Sequence, residues 1–261
     1  MRLQTALLVA RACSLAFLPP DAIPYSPYAS GLRFLAQVED PESLSGATVL
    51  RAGDDVLIAC RGSSNFRNFR TNFDIGPVPL ETKDGVKVAG GGKVHNGFQT
   101  AAQKLWRRLE PKLPRSARVI VTGHSLGGGT ATLITLYALA QGIDASLVTV
   151  AGPRLGDDKF ARHFRECCES PAVNLVHDQD DVIQSNQRLW DDLGFEHVGR
   201  VIRCDKDAPC LYDDAVEVCV SDYEYSSGPP SLRGVLVDHC MYMGIYIGVR
   251  LQHPSVWFRP L

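Results

Sequence analysis

A chain of 261 residues with 45% apolar residues, 21% charged residues and a formal charge of -2 is sized and composed for an ordinary folded protein. This balance excludes a disordered polyelectrolyte. It also offers little to a nucleic-acid backbone, because the basic clusters Arg67/Arg70 and Arg107/Arg108 are short enough to be solvated helix faces.

The first segment, Met1 to Pro20, carries an apolar run of Leu3, Ala6, Leu7, Leu8, Val9 and Ala10 that Arg11 interrupts. It is too short to span a membrane, and no clean small-residue cleavage site follows it. An amphipathic first helix is favoured over an export signal, which in turn favours the cytoplasm over secretion and implies no transmembrane segment. Thr48 to Arg51 and Asp55 to Cys60 read as a strand pair. Asn96 to Leu109 places Phe98, Ala101, Ala102, Leu105 and Leu109 at helical spacing and stops at Pro111. Arg118 to Thr122 is a buried β-branched strand, followed by a helix from Leu126 to Ala140 that Gly142 ends. Leu147 to Val150 and Val173 to Val176 repeat the strand signal around a helix near Lys159 to Glu166. Strands alternating with helices predict a mostly parallel central sheet with helices on both faces. No repeat or linker divides the chain, so one domain over residues 1–261 is expected.

Eight cysteines do not form the pattern of a small disulfide framework. Cys60, in an apolar run, reads as a buried free thiol, and the adjacent Cys167 and Cys168 do not easily bridge to each other. Cys204, Cys210 and Cys219 fall in a polar insertion at about 203–230 and make one disulfide or none. Without a CxxC pair, a zinc site is not expected there, and no metal or other cofactor is expected in the chain.

Between the strand ending at Thr122 and the following helix stands Gly123-His124-Ser125-Leu126-Gly127, a GxSxG sequence in strand-turn-helix context. Glycines are required where a serine is forced onto so sharp a bend, and the bend sets Ser125 at a helix N-terminus, where free N–H groups favour developing negative charge. Gly128 and Gly129 extend the glycine run, but no Lys-Ser/Thr pair follows, so a phosphate loop is discounted. A serine hydroxyl becomes nucleophilic when a histidine takes its proton and a carboxylate steadies that histidine. In the α/β-hydrolase order of serine, acid, histidine, the histidines past Ser125 are His163, His177, His197, His239 and His253.

Six elements in order resemble the class 3 lipases, which include the fungal triacylglycerol lipases. They are Cys60-Arg61-Gly62-Ser63; Val94-His95-Asn96-Gly97-Phe98; Gly123 to Gly128; Ala151-Gly152-Pro153-Arg154-Leu155-Gly156-Asp157; Asp180-Asp181-Val182; and Asp238-His239-Cys240-Met241-Tyr242. The resemblance covers most of the chain. It implies an α/β-hydrolase fold and a lipase-type ester hydrolase with Ser125 as nucleophile, Asp180 as acid and His239 as general base. Val182 then matches the valine of the family's D-x-V-P, although Ile183 replaces its proline and Asp181 stays the alternative acid. It further implies an oxyanion hole from the backbone N–H groups of Leu126 and Ser63, the latter otherwise a plain turn residue. His95, His124 and His177 read as structural, and Arg154 as one half of a loop-fixing ion pair.

Ser64 to Asp74 places Phe66, Phe69 and Phe73 at i, i+3 and i+7. The resemblance makes residues 64–74 a lid that shields an acyl pocket in water and turns its phenylalanines toward a lipid–water interface; the alternative is a helix packed permanently on the core. Acylglycerol esters are the leading substrates, with phospholipids (a phospholipase A1), short-chain esters and feruloyl esters as variants of the same chemistry. Two rivals come from other classes: a catalytically silent lipase-like module that binds lipid or protein, and a thiol or metal protein built on Cys204 to Cys219.

Overall fold

The computed structural model describes residues 1–61, 76–114, 117–170, 172–180, 187–209, 211–213, 216–218 and 239–247. Ser63, the stretch 64–74 with Phe66, Phe69 and Phe73, Asp181, Cys210, Cys219 and His253 lie outside the described residues.

Helix α1 (Leu3–Leu15) precedes β1 (Arg33–Asp40), β2 (Ser45–Ala52) and β3 (Asp55–Arg61). A small pair, β4 (Pro77–Pro79) and β5 (Lys93–His95), leads to α2 (Asn96–Leu109). Then come β6 (Val119–Gly123), α3 (Leu126–Ala140), β7 (Ala145–Val150), α4 (Asp158–Cys167), β8 (Val173–Val176) and α5 (Gln187–Asp192). The chain closes on β9 (Arg200–Cys204), β10 (Leu211–Asp213), β11 (Val216–Val218), β12 (Met241–Tyr242) and β13 (Ile245–Tyr246).

Among the described residues, nine strands form one sheet in the order β1-β2-β3-β6-β7-β8-β9-β10-β11. The central run β3-β6-β7-β8-β9 is parallel throughout, and antiparallel pairs flank it on both sides. The described part of the polar stretch 203–230 supplies β10, β11 and the end of β9 to one edge of this sheet.

Alternating side chains divide the core into two faces. Val56, Ile58 and Cys60 of β3 and Val119 and Val121 of β6 face α2, α3 and α4, where Phe98, Trp106, Leu133, Ile134, Phe160 and Phe164 are buried. Leu57, Ala59, Ile120, Val148 and Val150 face the other way and meet α1 through Ala6, Val9, Ala10, Cys13 and Leu15. Each large apolar side chain fully removed from water contributes about 1.5–3 kcal/mol, so both layers are needed to hold the sheet. Helix α3 is buried almost along its length, from Gly127 to Ala138, which is why its sequence carries no polar stripe. It ends at Gly142, which adopts a left-handed φ of 72°.

Helix α1 is thus a layer of the fold rather than an appendage. No described helix is long and apolar enough to cross a membrane. Cys13, Cys60, Cys167, Cys168, Cys204 and Cys240 are free thiols.

Candidate active site

Ser125 sits between β6 and α3 with φ 53° and ψ -123°, a conformation that costs a non-glycine residue about 1–3 kcal/mol. The surrounding glycines make the bend possible. A Cβ on Gly123 would stand 2.2 Å from the Gly127 carbonyl oxygen, and one on Gly128 would stand 2.8 Å from the Gly152 Cα. The bend is tied to the sheet: the Ser125 N–H donates to the Val150 carbonyl at 2.9 Å, and His124 makes a parallel bridge to Val150. Leu126 opens α3. Among the described residues its N–H meets no acceptor, whereas Gly127 and Gly128 donate to the His124 and Ser125 carbonyls at 2.9 and 2.8 Å.

The structure brings Ser125, His239 and Asp180 together from three distant parts of the chain. Asp180 is fully buried, just beyond β8. Both of its oxygens lie within hydrogen-bond reach of His239 Nδ1, at 2.9 and 2.8 Å, and the ring's other nitrogen, Nε2, is 2.8 Å from Ser125 Oγ. A carboxylate only accepts, so Nδ1 carries the proton and Nε2 is left to accept from the Ser125 hydroxyl. That is the tautomer a general base requires.

A carboxylate this deeply buried needs more than one donor. The second is the hydroxyl of Tyr242, which donates to Asp180 Oδ2 at 2.6 Å. Burial and the adjacent Asp180 charge push the Tyr242 hydroxyl well above its ordinary pKa of 10, so it stays protonated and remains a donor. Tyr242 has no role assigned from the sequence; what marks it is its place in the Asp238-His239-Cys240-Met241-Tyr242 element, three residues after His239.

His124, read as structural, is also tied to the site. Its Nε2 donates to the backbone carbonyl of His239 at 2.7 Å, and its ring lies 4.7 Å from the His239 ring. Burial and the neighbouring His239 hold its pKa down at about 3, so it is a neutral donor across the working range. His177 packs its ring 4.5 Å from Tyr242 and accepts at Nδ1 from the Gln179 N–H. His95 is buried against Phe98, with ring centroids 4.7 Å apart. Of the other histidines past Ser125, His163 lies on α4 near Cys167, and His197 is held at a pKa of about 4 by burial and Arg154.

Side chains beyond the triad brace the loop that follows β7. Asn174 of β8 clamps the loop after β7: its Oδ1 accepts from the Gly152 N–H at 2.9 Å and its Nδ2 donates to the Gly152 carbonyl at 3.0 Å. Arg154 pairs with Asp191 of α5, joining that loop to the segment after Asp180. Asp157 caps α4 by accepting from the Phe160 N–H at 2.9 Å, and it also accepts from Lys93. Among the described residues, no three His, Cys, Asp or Glu side chains gather as ligands for a metal ion.

A carboxylate, imidazole and hydroxyl in series, with a free helix N–H beside the hydroxyl, are equipped for acyl transfer. Residues 57–188 match the family model described as "Lipase (class 3)", a span that includes Ser125 and Asp180. The chain is 31% identical over 206 residues to a lipase of Rhizomucor miehei, covering 74% of this chain and 53% of that protein. It is 34% identical over 137 residues to a secreted mono- and diacylglycerol lipase of Fusarium solani, covering 50% of this chain and 39% of that one. The chain therefore spans about half the length, or less, of these curated relatives. Among solved structures, the triacylglyceride lipase of Rhizomucor miehei superposes with a TM-score of 0.63 at 26% identity, over 94% of this chain and 96% of that one. The family match and the fold agree: this chain belongs to the class 3 lipase family.

Proposed function

We propose that this chain is a serine carboxylester hydrolase acting on acylglycerol esters through an acyl-enzyme on Ser125. The observation that carries the reading is the unbroken series Asp180–His239–Ser125, with hydrogen bonds of 2.8 Å on either side of one buried imidazole. Ser125 Oγ adds to the ester carbonyl while its proton passes to His239 Nε2. The tetrahedral intermediate collapses as the alcohol leaves with that proton, and Ser125 is acylated. A water molecule then repeats the sequence: its proton goes to His239, the Oγ–acyl bond breaks, and Oγ takes the proton back as the carboxylic acid departs. Asp180 stabilises the imidazolium in both halves. The Leu126 N–H, with Ser63 as second donor, holds the oxyanion, and each such donor is typically worth about 3 kcal/mol in the transition state.

Acylglycerols are favoured because both relatives described above are named as lipases, one of them a mono- and diacylglycerol lipase. The test is a p-nitrophenyl ester series from acetate to palmitate, together with emulsified acylglycerols, run on the protein and on Ser125→Ala. Loss of turnover on the order of 10⁶-fold is expected in the variant, and an optimum at medium or long chains is expected in the parent protein. Equal rates in the two would replace this reading with that of a silent lipid-binding module.

A further inference from the structure

Nothing in the acyl-transfer sequence above employs His124, yet it also joins the two halves of the site. Its backbone belongs to the sheet end: it bridges to Val150, and the next N–H, that of Ser125, donates to the same residue at 2.9 Å. Its side chain reaches across to the other half. There Nε2 donates to the His239 carbonyl at 2.7 Å, and the ring also packs edge-on to Tyr242 at 6.0 Å.

We propose that His124 is a positioning residue that fixes the backbone of His239 relative to Ser125 through the whole catalytic cycle, and that deacylation depends on it most. The inference rests on the serine-hydrolase reading. In the resting enzyme the His239 ring has two tethers, Asp180 at Nδ1 and Ser125 at Nε2. Once Ser125 is acylated, its Oγ has no proton to donate and the second tether is gone, at the step where the ring must aim at a water. The His124 bond is made to the backbone carbonyl, so neither acylation of Ser125 nor protonation of the ring breaks it. Among the described residues it then still links the bend that carries the acyl group directly to the residue that activates water. Misplacement of a catalytic group by about 1 Å costs on the order of a hundredfold in rate, so one such link is enough to matter.

Three variants separate positioning from packing. In His124→Gln the side-chain amide nitrogen falls where Nε2 stood; in His124→Asn it is too short to reach the carbonyl; His124→Leu fills the volume without a donor. Stopped-flow release of p-nitrophenol from a short ester reads acylation as a burst and deacylation as the steady rate. Asn and Leu are expected to lower the steady rate about thirtyfold with KM within about twofold, and to reveal a burst approaching one equivalent. Gln should restore the steady rate to within about threefold of the parent. If Leu does not fold, as judged by circular dichroism and thermal melting, the comparison of Gln with Asn carries the test. Equal rates for Gln and Asn, or slowing confined to acylation, would overturn the proposal and leave the hydrolase reading intact. A parent protein with no Ser125-dependent turnover would remove both.

Discussion

The proposed nucleophile and its proposed base are held in different ways. Ser125 is placed by its immediate neighbours: β6 and α3 flank it, Gly123 lets the backbone close on Gly127, and Val150 of the adjacent strand anchors the bend. His239 has no such local frame among the described residues. Its segment, 239–247, is a short hairpin whose turn residues Met243 and Gly244 both have positive φ, at 53° and 73°. That hairpin is held by bonds from all over the chain. Met243 and Gly244 donate to the Asp205 and Lys206 carbonyls, Ser14 of α1 donates to the Tyr246 carbonyl at 2.8 Å, and Tyr242 and His239 both meet Asp180. One side of the candidate active site is built mainly by its flanking strand and helix, and the other by contacts from distant parts of the chain. Changes to the frame around Ser125 should therefore act mainly on folding, and changes to the supports of His239 mainly on the rate.

After Ser125→Ala, the largest effect on rate is expected from Asp180→Asn. The side chain keeps its shape, but its amide can turn an N–H toward Nδ1 and favour the wrong tautomer of His239, so kcat should fall about 10⁴-fold while the fold persists. Steady-state kinetics beside a thermal melt would check this, and a loss below about tenfold would mean that Asp180 does not orient the ring. Gly123→Ala probes the local side. Its Cβ meets backbone rather than a movable side chain, at 2.2 and 2.3 Å, so the bend cannot relax cheaply. A loss of about 3 kcal/mol in stability is expected from denaturant titration, with activity falling because Ser125 is displaced.

How far the sequence discloses this site follows the same division. The helix from Asn96 to Leu109 is legible from its periodicity and Pro111, the helix from Leu126 to Ala140 from the glycine turn before it and Gly142 after it, and the strand Val173 to Val176 from its short apolar run. Ser125 is legible because GxSxG is contiguous. Strand β1 escapes a periodicity reading because its residues from Phe34 to Gln37 are only half-buried, without clean alternation. The edge strands β10 and β11 escape because they lie in a polar stretch that reads as an insertion. His239 and Asp180 emerge from chain order and family resemblance, not from local pattern. The Tyr242–Asp180 and His124–His239 bonds join residues 62 and 115 positions apart, and no window of sequence contains both ends.

Acid should sharpen the contrast next. His124 is held neutral in the fold with a pKa of about 3, and His197 with one of about 4. Unfolded, each takes a proton near pH 6.5, so the stability tied to their neutral forms is complete above that value. It is lost as pH falls from 6.5 toward 4 and 3, because the unfolded chain binds protons the fold refuses. Each group steepens the loss by at most about 1.4 kcal/mol per pH unit. Chemical denaturation between pH 7 and pH 4 should show this slope, and His124→Gln should flatten it. An unchanged slope would mean that His124 is protonated in the folded protein. Tyr242→Phe is expected to cost less: removing one charge-assisted donor from Asp180 is worth about 1.5–3 kcal/mol, seen as a roughly tenfold or greater fall in kcat/KM with a modest fall in Tm. A fall in Tm with unchanged kcat/KM would assign Tyr242 to stability alone.

The smallest change tests the longest tie. Ser14 lies on α1, 232 residues from Tyr246, and its hydroxyl donates to the Tyr246 carbonyl. Ser14→Ala leaves the α1 core contacts of Ala10, Cys13 and Leu15 in place and removes a single neutral hydrogen bond, for about 1 kcal/mol. If the hairpin depends on distant anchors, that loss falls on residues 239–247 and not on the sheet. Hydrogen exchange should then show faster opening of the amides of Met243, Gly244 and Ile247, which the hairpin's cross-chain and closing bonds protect, while those of β6 and α3 keep their protection. Activity on a soluble ester should drop by about twofold or less, because the hairpin stays mostly closed while its opening becomes about fivefold more frequent. Uniformly faster exchange across β6, α3 and the hairpin would mean that α1 supports the whole sheet without favouring the base, and the division between a locally built nucleophile and a remotely held histidine would then fail at this bond.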